Sequence, residues 1–141
     1  MSKTIIFRGK RKDNNEWVYG WYAPLVCNDK TVIPSIKDFN GSDWRVEPET
    51  VGQFTGFYDK NDKKIFEGDI LETEGPDNTD YRDAVHFGRF NDDDNHGNEY
   101  IGFYVKSGNY TTSLLEMPLS EHNYCYVIGN IYDNPELLEE N

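Results

Sequence analysis

Short runs of β-branched and aromatic residues, each closed by a turn signal, recur along the whole chain of 141 residues. Trp17–Tyr22 follows the turn cluster Asp13–Asn15 and, with Thr4–Arg8 before it, predicts an opening hairpin. Asn40-Gly41 is a further turn signal, because both residues accept positive φ. This regular spacing favours a mainly β fold, either a small barrel or a sandwich. The remaining predicted strands are Thr31–Ile33, Trp44–Val46, Val51–Tyr58, Ile65–Leu71 with a sharp turn at Gly68-Asp69, Ala84–Phe90, Tyr100–Val105, Tyr110–Leu115 and Tyr124–Tyr132.

A helix is predicted at one place, the C-terminus. Asn134 suits the position that caps a helix, Pro135 suits the first helical position, and Glu136 favours the positive end of the helix dipole. No other segment sustains a period of 3.6 residues over about ten residues. We therefore expect a small, barrel-like antiparallel fold with one short C-terminal helix.

The chain is strongly acidic, and the charge is unevenly distributed. The sequence has 14 Lys and Arg against 26 Asp and Glu, which gives a formal charge of -12. Residues 1–50 carry 8 basic and 7 acidic side chains, whereas residues 51–141 carry 6 and 19. A negative surface repels phosphate backbones, which disfavours nucleic acid as a partner. Such a charge ordinarily keeps a protein soluble. The more specific interpretation is that the acidic surface binds a basic partner.

Composition also bounds the domain organisation and the compartment. Aromatic residues make up 15% of the chain, unlike disordered acidic chains, so we expect a folded protein. The length suits one domain over residues 1–141, or two β subdomains at about 1–60 and 61–141. No apolar stretch approaches the roughly 18 residues of a membrane helix, and the N-terminus lacks the apolar region of a secretory signal. These features predict a cytoplasmic protein without membrane contact.

The residues that could bind a metal do not form a recognisable site. Cys27 and Cys125 are expected to be reduced structural thiols, and without a Cys-x-x-Cys pair they predict no zinc site. The segment from Asp92 to Gly97 superficially resembles a calcium loop. However, His96 and Phe103 occupy two positions where an EF-hand needs oxygen ligands. We therefore expect a solvated loop there, and no metal and no cofactor.

Catalytic motifs are also lacking in the sequence, which contains no nucleophile elbow, zinc-protease motif or phosphate-binding loop. Glu67 and Asp69 form a carboxylate pair on a predicted turn, which alone is a weak hint of a hydrolase. Aspartates in turns commonly accept hydrogen bonds from nearby backbone N–H groups, and this structural role is the favoured interpretation of Asp69. The sequence thus predicts no catalytic residues.

One group of residues is a candidate contact surface for a partner. Trp17, Tyr19 and Trp21 fall on one face of a predicted strand by alternation, although an aromatic stripe of this kind is more often core. Asp92, Asp93 and Asp94 are the candidate contacts in the acidic part of the chain. Basic residues interleaved with aromatics can bind single-stranded nucleic acid, but four charges contribute little against the overall repulsion. The basic residues beside the stripe are Arg8, Lys10, Arg11 and Lys12.

An ordered set of segments resembles the YopX family of phage and prophage proteins, and the resemblance extends over nearly the whole chain. Residues 23–47 and 72–123 diverge, in regions where that family is variable. The turn at Glu67–Ile70 is also similar to the opening of Src-homology-3-like barrels, which is an analogy of fold alone. The matching segments are Phe7–Lys10, Glu16–Gly20, Pro48–Gly56, Asp59–Asp62, Ile65–Ile70 and Val127–Leu138.

The resemblance implies a single YopX-like domain of phage or prophage origin in a bacterial cytoplasm, and it brings no catalytic or binding residues. Our leading hypothesis is a non-enzymatic accessory protein that acts through contacts with a protein partner or with its own copies. The alternative is an acidic mimic of nucleic acid that inhibits a host DNA-binding protein. Its basis is the charge of residues 51–141. A hydrolase using Glu67 and Asp69 is the least favoured of the three hypotheses.

Overall fold

A computed structural model describes residues 5–74, 80–91, 99–107, 110–113 and 125–139. The chain divides into two compact units, Met1–Gly56 and Phe57–Asn141. Both consist of antiparallel strands, and this confirms the predicted mainly β, antiparallel fold. In the described part of the chain, no helix is long and apolar enough to span a membrane.

Unit 1 is built on five strands in the order β6-β5-β2-β1-β7, with a separate two-stranded hairpin of β3 and β4. A 3-10 turn, Pro48–Thr50, precedes β7. The predicted opening hairpin is confirmed, because β1 pairs with β2 through Gly9 and Val18. The strands are β1 (Phe7–Lys10), β2 (Trp17–Tyr22), β3 (Leu25–Val26), β4 (Val32–Ile33), β5 (Ser35–Asp38), β6 (Asp43–Arg45) and β7 (Gly52–Tyr58), of which β7 ends with two residues of unit 2.

The core of unit 1 lies on one face of this curled sheet. Val18, Ile36 and Val46 are buried there, and Phe7, Trp44 and Val51 pack against them. An isolated bridge from Arg11 to Val46 brings the end of β6 back to the end of β1. The strands therefore form a barrel-like arrangement that is not a closed barrel.

Unit 2 contains a five-stranded sheet in the order β12-β11-β10-β9-β13. Its core cluster consists of Ile65, Leu71, Val85, Val105 and Cys125. The composition of the sequence predicts loops at 74–80 and 91–98, and their interiors, 75–79 and 92–98, lie outside the described residues. At their described ends the prediction is wrong, because Glu74 belongs to β9 and Asp80 and Asn91 belong to β10. The strands of this unit are β8 (Lys64–Phe66), β9 (Asp69–Glu74), β10 (Asp80–Asn91), β11 (Glu99–Ser107), β12 (Tyr110–Ser113) and β13 (Cys125–Asn130).

The predicted C-terminal helix is a single 3-10 turn, Pro135–Leu138, with Pro135 in its first turn as expected. Asn134 does not cap it with its side chain. Instead, Asn134 Oδ1 accepts a hydrogen bond from Asn130 N at 3.3 Å, while Asn130 Oδ1 accepts from the N–H groups of Tyr132 and Asp133. Asparagine side chains therefore stabilise the turn before the helix rather than the helix end.

Gly68 has a conformation and an environment that no other residue type suits. Its φ is +92°, and a Cβ on it would lie 2.9 Å from the ring of Tyr132. Its N–H donates to Val85 O at 2.8 Å, and its carbonyl accepts from Ile131 N at 2.9 Å. The backbone at Gly68 is therefore held from both sides and has little freedom to adjust.

We expect Gly68→Ala to lower the free energy of unfolding by about 2–3 kcal/mol, from backbone strain plus the steric contact with Tyr132. Gly56→Ala is the matched control, because Gly56 has φ +91° and nothing within 4 Å of its Cβ position. The free energy of unfolding of that variant should fall by about 1 kcal/mol, from backbone strain alone. Urea denaturation of both variants measures the difference, and equal losses would contradict the contact with Tyr132.

Candidate functional site

The candidate site is the aromatic face of unit 1, defined as the side of β1, β2, β5 and β6 opposite the core. Residues directly opposite each other in an antiparallel pair point to the same side of the sheet. The pairs Arg8–Tyr19, Lys10–Trp17 and Trp21–Lys37 therefore place the side chains of three strands on one face. The members of the aromatic face are Arg8, Lys10, Trp17, Tyr19, Trp21, Ser35, Lys37, Asp43 and Arg45, together with Phe39 just after β5.

The three residues of the predicted stripe lie on one face of β2, and two of them, Tyr19 and Trp21, are exposed. Tyr19 is 41% exposed and Trp21 is 49% exposed, whereas Val18, on the opposite face of β2, is buried in the core. The expectation that such a stripe belongs to the core is therefore wrong for Tyr19 and Trp21. Alternation indicated that the three side chains share a face, but it could not indicate which face is covered. The core of unit 1 uses the opposite side of β2.

Phe39 belongs to the same surface and was missed by the sequence pattern. It is 58% exposed, and its ring meets the ring of Trp21 edge-on with centroids 5.2 Å apart. The polar sequence of β5 did not suggest a strand there. The sequence feature that indicates its place is its position two residues after Lys37, because side chains two residues apart on an extended chain point to the same side.

Asp38 fixes the turn that follows Phe39. Asp38 Oδ1 accepts from Asn40 N and Ser42 N, both at 2.9 Å, and Asp38 Oδ2 accepts from Trp44 Nε1 at 2.8 Å. The indole N–H of Trp44 and the backbone N–H of Ser42 stabilise the carboxylate, which lowers the pKa of Asp38. The predicted Asn40-Gly41 turn is thus held by a charge-assisted network, which fixes the backbone that follows Phe39.

Cations outnumber carboxylates on the aromatic face. The guanidinium carbon of Arg8 lies 4.5 Å from the ring centroid of Trp17, and Lys10 Nζ lies 5.6 Å from it. Both are within the range of cation–π attraction. Lys37 Nζ lies 3.2 Å from Asp43, and Arg45 follows on the same strand. These four cationic side chains share this side of the sheet with the carboxylates of Asp43 and of Glu47, which lies opposite Lys10 just after β6.

The Glu67–Asp69 turn is structural in the way the sequence predicted. Asp69 is 2% exposed, and its Oδ2 accepts a hydrogen bond from Phe66 N at 2.7 Å. A carboxylate that accepts a backbone N–H in this way holds the turn into β9. Asp69 therefore has a structural contact that explains its presence in the turn.

Asp59 is the buried carboxylate that the sequence did not reveal, because it stands in a polar loop. Asp59 Oδ1 accepts from Asn61 N at 2.8 Å and from Lys63 N at 2.9 Å. Asp59 Oδ2 accepts from Val127 N at 2.9 Å. One side chain therefore closes the turn before β8 and also anchors β13.

Cys27 and Cys125 are both free thiols, and they differ in accessibility. Cys125 is fully buried. Its burial, together with the nearby Asp59 carboxylate, raises the pKa of the Cys125 thiol from 9.0 to about 11. The thiol of Cys125 is therefore protonated and poorly reactive in the folded protein.

We expect a thiol reagent to modify Cys27 in the native protein at least about a hundredfold faster than Cys125.

The raised pKa of Cys125 also predicts that stability depends on pH, because the folded state keeps a proton that the unfolded state releases above pH 9.0. The stability contributed by this group is complete below that value and is lost as pH rises toward about 11. Cys125→Ala should reduce this alkaline loss, measured by urea denaturation across that range. An unchanged pH profile would contradict the burial effect.

The acidic candidates Asp92, Asp93 and Asp94 and the calcium-like segment lie outside the described residues. Within the described ranges, no three His, Cys, Asp or Glu side chains are grouped so that they could hold a metal ion. Of the contact residues predicted from the sequence, those in the described part of the chain, Trp17, Tyr19 and Trp21, all lie on the aromatic face.

The fold and this surface define a small antiparallel β protein with an exposed aromatic and cationic face. The chain belongs to the YopX family, because the family described as YopX protein matches residues 6–139. A solved structure, the crystal structure of protein EF1440 from Enterococcus faecalis, is similar in fold. It shares 23% sequence identity with a TM-score of 0.54, and the match covers 97% of this chain and 99% of that one. No curated protein matches the chain.

Proposed function

We propose that this protein is a phage or prophage accessory protein of the bacterial cytoplasm, and a non-enzymatic module that binds another protein through the aromatic face. Membership of the YopX family supports the phage origin through the resemblance described above. The structural contacts of Asp69 support a non-enzymatic role, since this carboxylate stabilises the fold. The single observation that carries the proposal is the exposure of Tyr19, Trp21 and Phe39 side by side.

Exposed aromatic rings of this kind are typical of binding surfaces. Trp and Tyr are enriched among the residues that dominate protein interfaces, because each supplies a large, rigid contact area. The rings of Trp21 and Phe39 already pack edge-on in the free protein, so part of the side-chain ordering needed for binding is present beforehand. Burial of such a pair by a partner stabilises the complex without catalysis.

The test is affinity capture from a lysate of the bacterial host, with the wild type and two variants compared. Trp21→Ala combined with Phe39→Ala should reduce the amount of specifically retained protein at least about tenfold. Tyr81→Ala is the control, because Tyr81 is 46% exposed on a strand of unit 2. Two results would contradict a role for the aromatic face. One is that the double variant and Tyr81→Ala retain equal amounts of protein, and the other is that Tyr81→Ala alone abolishes retention.

The same experiment separates this proposal from the acidic mimic. Contacts made by aromatic rings depend little on salt, so partners should be retained at high salt. Binding by a mimic of nucleic acid is electrostatic and weakens steeply, since the screening length falls to about 3 Å at 1 M salt. Partners lost at high salt and enriched in nucleic-acid-binding proteins would replace the present proposal with the mimic.

A further inference from the structure

We infer that the aromatic face binds an extended, acidic segment of its protein partner, with aromatic or apolar side chains interspersed among the carboxylates. This inference rests on the proposed function and names the chemistry of the partner. Three observations on the described residues carry it: the sign of the charge on the face, the spacing of the rings, and the local contacts of the cations.

The sign of the charge on the aromatic face is opposite to that of the molecule. Arg8, Lys10, Lys37 and Arg45 lie there with the carboxylates of Asp43 and of Glu47, which is opposite Lys10, so these side chains sum to a positive charge, whereas the whole chain carries -12. Charge complementarity selects partners and orients them as they approach. An acidic segment therefore finds attraction at this surface and repulsion from most of the remaining chain, which confines it to the face.

The spacing of the rings fits a chain in extended conformation. Tyr19 and Trp21 are two residues apart on β2, which places them about 6.4–6.8 Å from each other along the strand. Side chains on one side of an extended peptide repeat at the same distance. Two alternate side chains of the peptide can therefore contact Tyr19 and Trp21, while Phe39 adds a third ring beside Trp21.

The contacts of the cations favour a protein segment over single-stranded nucleic acid. Arg8 is only 5% exposed and lies against Trp17, and Lys37 is paired with Asp43. Nucleic acid carries a charge on every phosphate and requires many accessible cations, whereas the chain as a whole repels a long polyanion. A short acidic segment requires few ion pairs and obtains the rest of its affinity from contacts with the rings.

The experiment uses the full chain and a fluorescently labelled random copolymer of glutamate and tyrosine, with binding followed by anisotropy. We expect saturable binding that Trp21→Ala weakens about tenfold. Arg45→Glu should weaken it about fivefold. Arg89→Glu is the matched control for charge, because it makes the same change at an exposed arginine of unit 2. It should change the affinity less than about twofold.

Three results would overturn the inference: no binding of the copolymer, equal weakening by Arg45→Glu and Arg89→Glu, or binding of oligothymidylate as tight as that of the copolymer. The last result would assign the face to nucleic acid. If the copolymer fails while capture from lysate still depends on Trp21 and Phe39, the proposed protein-binding function stands and only the acidic partner is wrong. If capture is also independent of those rings, the proposed function itself fails.

Discussion

Gly20→Ala is expected to lower the free energy of unfolding by about 3 kcal/mol or more, and it is the largest effect that we predict for a single methyl group. Gly20 lies on the core face of β2, where β2 pairs with β5. A Cβ at this position would be 2.0 Å from Lys37 O, 2.8 Å from Lys37 C and 2.9 Å from Asp38 Cα. All three are backbone atoms of β5, so the strands would have to separate.

Gly102→Ala provides the matched control. Gly102 is also a strand glycine, paired with Gly88 across β10 and β11, and nothing lies within 4 Å of its Cβ position. Alanine there should change the stability by less than about 1 kcal/mol, since it fits without strain and restricts the unfolded chain. Urea denaturation of both variants checks the prediction. A small loss of stability for Gly20→Ala would contradict the prediction, because it would show that β2 and β5 can separate at little cost in free energy.

Asp59→Asn should cost about 2–3 kcal/mol of stability, because it replaces a buried carboxylate that accepts three backbone hydrogen bonds. The amide has one oxygen, so its NH₂ group must face either the turn N–H groups or Val127 N. A second effect follows from the lost charge. The pKa of Cys125 should fall toward its ordinary value, because the Asp59 carboxylate contributes to its rise.

The control for Asp59 is Asp29→Asn. Asp29 Oδ1 accepts from Thr31 N at 3.0 Å and from Thr31 Oγ1 at 2.6 Å, in an exposed turn. Water can replace these bonds, so this variant should lose less than about 1 kcal/mol. Denaturation gives the two stabilities, and alkaline titration of the thiolate absorbance in the presence of the Cys27→Ser change gives the pKa of Cys125. Loss of stability without movement of that pKa would contradict the electrostatic contact.

The sequence predicted the elements whose signals are local. The opening hairpin, the turn at Asn40-Gly41 and the turn role of Asp69 all depend on residues within a few positions of each other. The short strand β5 was not predicted, because its sequence of Ser, Ile, Lys and Asp has no clear alternation and its pairing with β2 and β6 decides its conformation. Tertiary pairing overrides weak local preference in such segments.

The candidate site was predictable in part. Alternation grouped Trp17, Tyr19 and Trp21, but the choice between core and surface depends on where Ile36 and Val46 lie, and this follows from the curl of the sheet. Asp59 could not be identified, because its contact with Val127 spans 68 positions in sequence. In both cases the deciding contact is made by residues that are distant along the chain.

The long-range bond from Val127 to Asp59 has a consequence for folding during synthesis. The buried cluster of unit 1 lies between Phe7 and Val51, so its residues are available early as the chain leaves the ribosome. The core of unit 2 includes Cys125, and β9 pairs with β13 at the C-terminal end of the chain. Closing such a distant contact is slow. During translation, Ile65 and Leu71 are therefore synthesised before Cys125 is available to pack against them. A chain interrupted before residue 125 leaves apolar side chains of this core exposed to solvent.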